Sequence, residues 1–182
     1  MPDERVVIFV DGSNLYHCLM EEFGRADLDF FRFGQALCEG RRLIRTYYYN
    51  AVVRREDGEE RYQAQQRFFD SLRKVPYLDL RLGRLERRGN AVVEKGIDVR
   101  VATDMLWQAH NNVYDTAILV SGDADYVPAV EAVKAIGKHV EVAFVTRGRS
   151  YDLQHAADRF VPLDPGKLGD CWTGPSRPRR QG

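Results

Sequence analysis

Two apolar runs, residues 6–10 (VVIFV) and 117–120 (AILV), constrain this chain more than any other feature, because each ends on a polar turn, DGSN after the first and SGDADY after the second. A short unbroken apolar run bounded by turn residues reads as a strand covered on both faces. Each run is followed by a helical segment: LYHCLMEEF after the DGSN turn, and YVPAVEAVKAIGK, in which Pro128 is tolerated in the first turn. DLDFFRFGQALCEG reads as a further helix capped by Asp29, and LIRTYYYNAVV as a strand rich in aromatic and β-branched residues. RYQAQQRFFDSLRKV is helical up to Pro76, and YLDLRLGRLER alternates like a half-solvated strand that continues past RGN into a hairpin. IDVRVATDMLWQAHNN predicts a helix burying Val101, Met105 and Ala109, and HVEVAFVT a last core strand. Such alternation means βαβ units: an α/β fold with a mostly parallel central sheet and helices on both faces.

A length of 182 residues, 44% hydrophobic and 30% charged, suffices for one well-buried domain. That domain is expected over residues 1–165. Beyond it the composition turns to Pro, Gly and Arg, which predicts a flexible basic tail over 166–182. No run reaches the roughly eighteen apolar residues of a membrane-spanning helix, and no apolar signal region follows MPDER, so a soluble, cytoplasmic protein without membrane association is expected. Three cysteines, Cys18, Cys38 and Cys171, without a CxxC pair argue against a disulfide framework or a thiolate zinc site. Lys and Arg total 27, as do Asp and Glu, so no net field attracts a polyanion. The arginines nevertheless cluster in CEGRRLIR, VVRREDGEER and GRLERRG, which suits either a basic rim around an acidic pocket or ordinary solvated faces.

The aspartates carry the chemistry. In open α/β sheets, ligands bind outside the carboxyl ends of the strands. Asp11 follows VVIFV, Asp123 and Asp125 follow AILVSG, and Asp98 opens a helix after Gly96. Each alone reads equally well as a helix cap. Together, carboxylates converging on one edge repel unless a cation sits among them. Oxygen ligands without paired Cys or His favour Mg²⁺ or Mn²⁺, and such an ion suits phosphodiester hydrolysis by an activated water. Asn14 and Ser121 are the expected supporting groups, Ser121 also as a substrate contact, and Lys95 is a candidate cation for the substrate phosphate. Asp104, six positions after Asp98, turns to another helical face and is not expected as a ligand.

FVDGSN, KGIDVRVATDM and SGDADYVPAV, in this order, resemble the three motifs of the NYN domain in the PIN-like nuclease superfamily, nearest to its LabA-like branch. The similarity spans about residues 6–162. The resemblance implies a Rossmann-like, PIN-like three-layer α/β/α sandwich with a Mg²⁺-dependent ribonuclease site. It carries catalytic roles onto Asp11, Asn14, Asp98, Asp123 and Asp125, with the four aspartates as metal ligands. The LabA-like branch is also linked to regulatory roles.

The expected partner is RNA, single-stranded or structured, held by Arg54, Arg55, Arg84, Arg87 and Arg88 at the pocket mouth. Tyr47, Tyr48, Tyr49 and Tyr126 offer faces for base stacking, the first three alternatively filling the core, and the terminal RPRR adds RNA affinity or only solubility. Apolar helix faces permit a homodimer. Two other readings stand beside the ribonuclease: a haloacid-dehalogenase-type phosphatase, against which Ser13 replaces the second acid of a DxD pair, and a non-catalytic RNA- or protein-binding regulatory module.

Overall fold

The computed structural model describes residues 3–175. The strands are β1 (Arg5–Asp11), β2 (Arg42–Val52), β3 (Leu78–Arg88), β4 (Ala91–Lys95), β5 (Thr116–Val120), β6 (His139–Phe144) and β7 (Arg159–Pro162). The helices are α1 (Gly12–Phe23), α2 (Phe30–Cys38), α3 (Glu59–Arg73), α4 (Ile97–His110), α5 (Val127–Ala135), α6 (Tyr151–Ala156) and α7 (Pro165–Leu168). All seven strands form one sheet in the order β4-β3-β2-β1-β5-β6-β7. Every pairing is parallel except β3 with β4, the hairpin read at RGN.

The period of two along β1 divides the core. Val6, Ile8 and Val10 face one layer with Leu15 and Leu19 of α1, Phe33 and Leu37 of α2, and Phe69 and Leu72 of α3. Val7 and Phe9 face the other layer with Val101 and Met105 of α4 and Val130 and Val133 of α5. These five of the seven β1 residues are fully buried, as a strand with helices on both sides requires. The result is the expected α/β/α sandwich.

Three features depart from the sequence reading, which offered no helix at α6. A further strand, β7, pairs with β6 at the sheet edge; its four residues, RFVP, are too short for a periodic signal, and an edge strand accommodates proline. Residues 166–175, expected as part of a tail, are instead packed on the domain. Leu168 is fully buried and Cys171 is 2% exposed, Leu28 bridges to Trp172, and the Trp172 ring meets Phe23 at 5.8 Å. Arg25 lies over that indole at 4.7 Å. Composition suggested a tail because these apolar anchors are few and spaced, yet each finds a cavity against α1 and α2. RPRR lies outside the described residues.

Candidate active site

From β1 the chain adds strands towards β2 on one side, and it later resumes at β5 on the other. This is a topological switch point, and the crevice above the carboxyl ends of β1 and β5 is where such sheets receive ligands. Asp11, the last residue of β1, sits there and caps α1, accepting from the Asn14 amide at 3.2 Å. It is 8% exposed, and its Oδ2 accepts the Tyr126 hydroxyl at 2.9 Å.

A relay of hydrogen bonds joins α1 to the turn after β5. The Asn14 Oδ1 accepts from the Ser121 hydroxyl at 3.1 Å and from the Gly122 amide at 2.9 Å. The Ser121 Oγ accepts the Asp123 amide at 3.2 Å, and the Asp123 Oδ1 accepts the Asp125 amide at 3.0 Å. Ser121 is fully buried, so its expected substrate contact is corrected to a positioning role. The cap of the turn Ala124–Tyr126 is Asp123, while the Asp125 side chain is exposed. Two positions apart, the acids of DADY therefore have different surroundings.

The opposite side of this turn is closed by the loop after β6. A Cβ on Gly122 would lie 2.3 Å from the Gly148 carbonyl oxygen, so only glycine fits, and the Ser150 amide donates to the Gly122 oxygen at 3.1 Å. The same loop carries Arg147 and Arg149, which no sequence motif singled out; Arg147 is 87% exposed, and Arg149 lies over Tyr151 at 4.9 Å. Asp98 arrives from the other helix layer. Gly96, at φ 71°, makes the left-handed turn from β4 into α4, and Asp98 stands exposed in the first turn of that helix.

Tyr126 reports how these acids are related. Burial first, then the charges of Asp11, Asp98 and Asp123, push its hydroxyl far above its ordinary value, so it stays protonated and donates to Asp11. Sequence reading offered Tyr126 only as a stacking surface; it is 1% exposed, and this bond is its function in the fold. Tyr48 and Tyr49 are likewise core residues, and the Tyr49 hydroxyl donates to Asp104 at 2.7 Å across the β2–α4 contact.

Among the described residues, no three His, Cys, Asp or Glu side chains gather as a metal-binding group. The donor set still fits a different arrangement. Mg²⁺ commonly keeps several waters and takes only one or two carboxylates, and Asp98 is exposed and Asp123 half-buried, whereas Asp11 is buried.

The expected cations lie elsewhere on the same carboxyl edge. Arg54 and Arg55 follow β2, one strand from β1, and Arg87 and Arg88 end β3, two strands away. Arg87 donates to Asp57 at 2.8 Å, and the Lys95 Nζ is tied to both carboxylate oxygens of Glu86 at 3.0 Å. Arg84, Arg88 and Lys95 are exposed.

Residues 5–164 match the NYN domain, a family whose members are generally nucleases. The chain is 25% identical over 170 residues to the Low amplitude and bright protein LabA of Synechococcus elongatus, covering 88% of this chain and 84% of that protein. A crystallised protein of unknown function from Vibrio parahaemolyticus superimposes with a TM-score of 0.72 at 27% identity, over 90% of this chain and 94% of the other. With the match extending from the first strand to the residues after the last, this chain belongs to the NYN domain family and is LabA-like within it.

Proposed function

We propose that this chain is a Mg²⁺- or Mn²⁺-dependent ribonuclease that hydrolyses RNA phosphodiester bonds at the crevice above β1 and β5. The observation that carries this reading is the placement of Asp11 at the end of β1 and Asp123 just after the adjacent β5, joined by the Asn14–Ser121 hydrogen bonds at the switch point of the sheet. Asp98 and Asp123 are the residues assigned to hold the ion, with Asp11 behind them, and Asp125 reaches it through water. A bound Mg²⁺ or Mn²⁺ supplies an activated water and neutralises phosphate charge.

The protein's own contribution is orientation. Tyr126 donates to Asp11 and fixes its carboxylate in rotation. Asn14 and Ser121 hold the turn that carries Asp123, so that carboxylate enters the crevice without reorganising. Hydrolysis adds one water across a P–O bond: its oxygen bonds to phosphorus and the ester oxygen leaves. Asp98 makes no hydrogen bond to another described residue and faces solvent, which suits it to take the proton that the water releases.

A second reading is a regulatory module that binds RNA or protein on this fold without cutting it. The dispersal of the acids favours it, since no three gather as a metal-binding group among the described residues. Labelled single-stranded RNA incubated with purified protein and Mg²⁺ or Mn²⁺ separates the two. Cleavage lost on chelation and lost in Asp123→Asn supports the ribonuclease. Cleavage that survives the substitution is a contaminant, and binding without cleavage selects the module. Hydrolysis of a small phosphate ester with no RNA cleavage selects the phosphatase.

A further inference from the structure

Beside the acids lies a second concavity that the reading above does not use. A groove of about 1000 Å³ runs between α1 and α3 over the carboxyl end of β2, bordered by Ser13 two residues after Asp11. Its floor is aromatic: the Tyr48 ring packs on Phe30 at 5.1 Å and on Phe68 at 5.7 Å. Its α1 wall is Tyr16, 51% exposed despite its size, with Met20 one turn on, 41% exposed. Its α3 wall is the exposed Ala64, with Arg61 at the rim.

We infer that this groove seats a nucleobase of a single-stranded RNA whose neighbouring phosphate lies at Asp11, Asp98 and Asp123. The inference rests on the ribonuclease reading and adds to it the part of the substrate that the protein grips. Three features select this occupant. First, the groove opens on the same sheet edge as the acids, one strand over, so a ligand in it is continuous with one in the crevice. Neighbouring strands are about 4.8 Å apart, which one nucleotide spans.

Second, Tyr16 offers a solvent-facing ring above a buried aromatic floor, and unpaired bases stack on such exposed rings. Third, the arginines that the acid site left unused gather here. Arg54 and Arg55 follow the groove-lining Val53, and Arg61 lines the groove itself; none of the three forms an ion pair among the described residues. Arg54 also keeps a buried Nε without a hydrogen-bond partner there. Glu56, Glu59 and Glu60 on the same segment offset the net field, so these guanidiniums act as local donors to phosphate oxygens and the affinity comes mainly from stacking.

The test is fluorescence anisotropy of a short fluorescein-labelled oligoadenylate, with chelator present so that nothing is cut. The full-length variants are Tyr16→Ala, which removes the wall, Ala64→Trp, which fills the groove, and Tyr16→Phe, which keeps the ring. Both positions are exposed, and melting curves check that the variants fold. Tyr16→Ala and Ala64→Trp are each expected to raise Kd about tenfold, the scale of one lost stacked base, with Tyr16→Phe close to wild type. Unchanged affinity in both, while the wild type binds and cleaves RNA, overturns the groove assignment and leaves the ribonuclease standing. A wild type that neither binds oligoadenylate nor cuts RNA with metal added overturns both. RNA affinity indifferent to the groove variants, together with an amphipathic peptide whose binding they abolish, makes it a protein dock and also overturns the inference.

Discussion

At the scale of single residues, the buried and the exposed acids make separable predictions. Removing the Tyr126 hydroxyl leaves the carboxylate of Asp11 short of a donor in a site only 8% exposed. Tyr126→Phe is therefore expected to cost about 1–3 kcal/mol in denaturant unfolding and to slow RNA hydrolysis through the misplaced carboxylate. Asp98 is exposed and makes no hydrogen bond to a described residue. Asp98→Asn is expected to change stability by no more than about 0.5 kcal/mol while lowering kcat at least about 10²-fold, as loss of a positioned charged group does. Equal losses of stability and rate in this variant would mean that Asp98 serves the fold. The identities of Asp11, Asp98 and Asp123 were legible because acids at strand and helix ends are few and chemically conspicuous. Tyr126 was not, because its partner lies 115 positions away and nothing local distinguishes a tyrosine that donates to a carboxylate from one that fills the core.

At the scale of elements, the strands and long helices follow from apolar period and turn residues, and the shortest pieces do not. The four-residue β7 and α7 are held by what they pack on. Leu168, fully buried at the end of α7, joins the layer that contains Leu28, Phe33 and Leu37. Leu168→Ala is expected to destabilise the protein by about 2–5 kcal/mol, measured by urea unfolding, where a detached tail would give no change. Composition assigned this segment to a tail because Pro and Gly outnumber its apolar residues. Burial depends instead on three side chains, Leu168, Cys171 and Trp172, meeting vacant volume beside α1 and α2.

At the scale of the whole molecule, ion pairs join distant parts of the chain at the sheet edge opposite the acids and around the terminal segment. Arg5 binds Asp115 at 2.7 Å, Arg159 and Lys167 bind Glu39 at 2.8 and 2.6 Å, and Arg41 joins Glu141 at 2.8 Å. Hydrogen bonds from the cations pull the carboxyls of Asp115, Glu39 and the Arg25-bound Asp27 down to about 2. Each is lower than the ordinary value of about 4 in an unfolded chain, so the folded state binds fewer protons there. The stability they contribute is fully present above about pH 4 and is lost as pH falls through about 2. Melting temperature followed between these limits should fall, and less steeply in Asp115→Asn, which has lost one of the titrating groups.

Taken alone, the sequence determined the layer architecture, the run of strands and helices and the acids at their ends, because these depend on local periodicity and on the chemistry of turn residues. Tertiary structure alone decided what each acid does. Asp11 became a buried, tyrosine-held carboxylate, Asp123 a cap reached through Ser121 and Asn14, and Asp98 a solvent-facing group from the opposite helix layer. The same local motif is compatible with capping, ligation or exposure, and the choice is made by neighbours roughly a hundred positions away, brought near only when the sheet assembles.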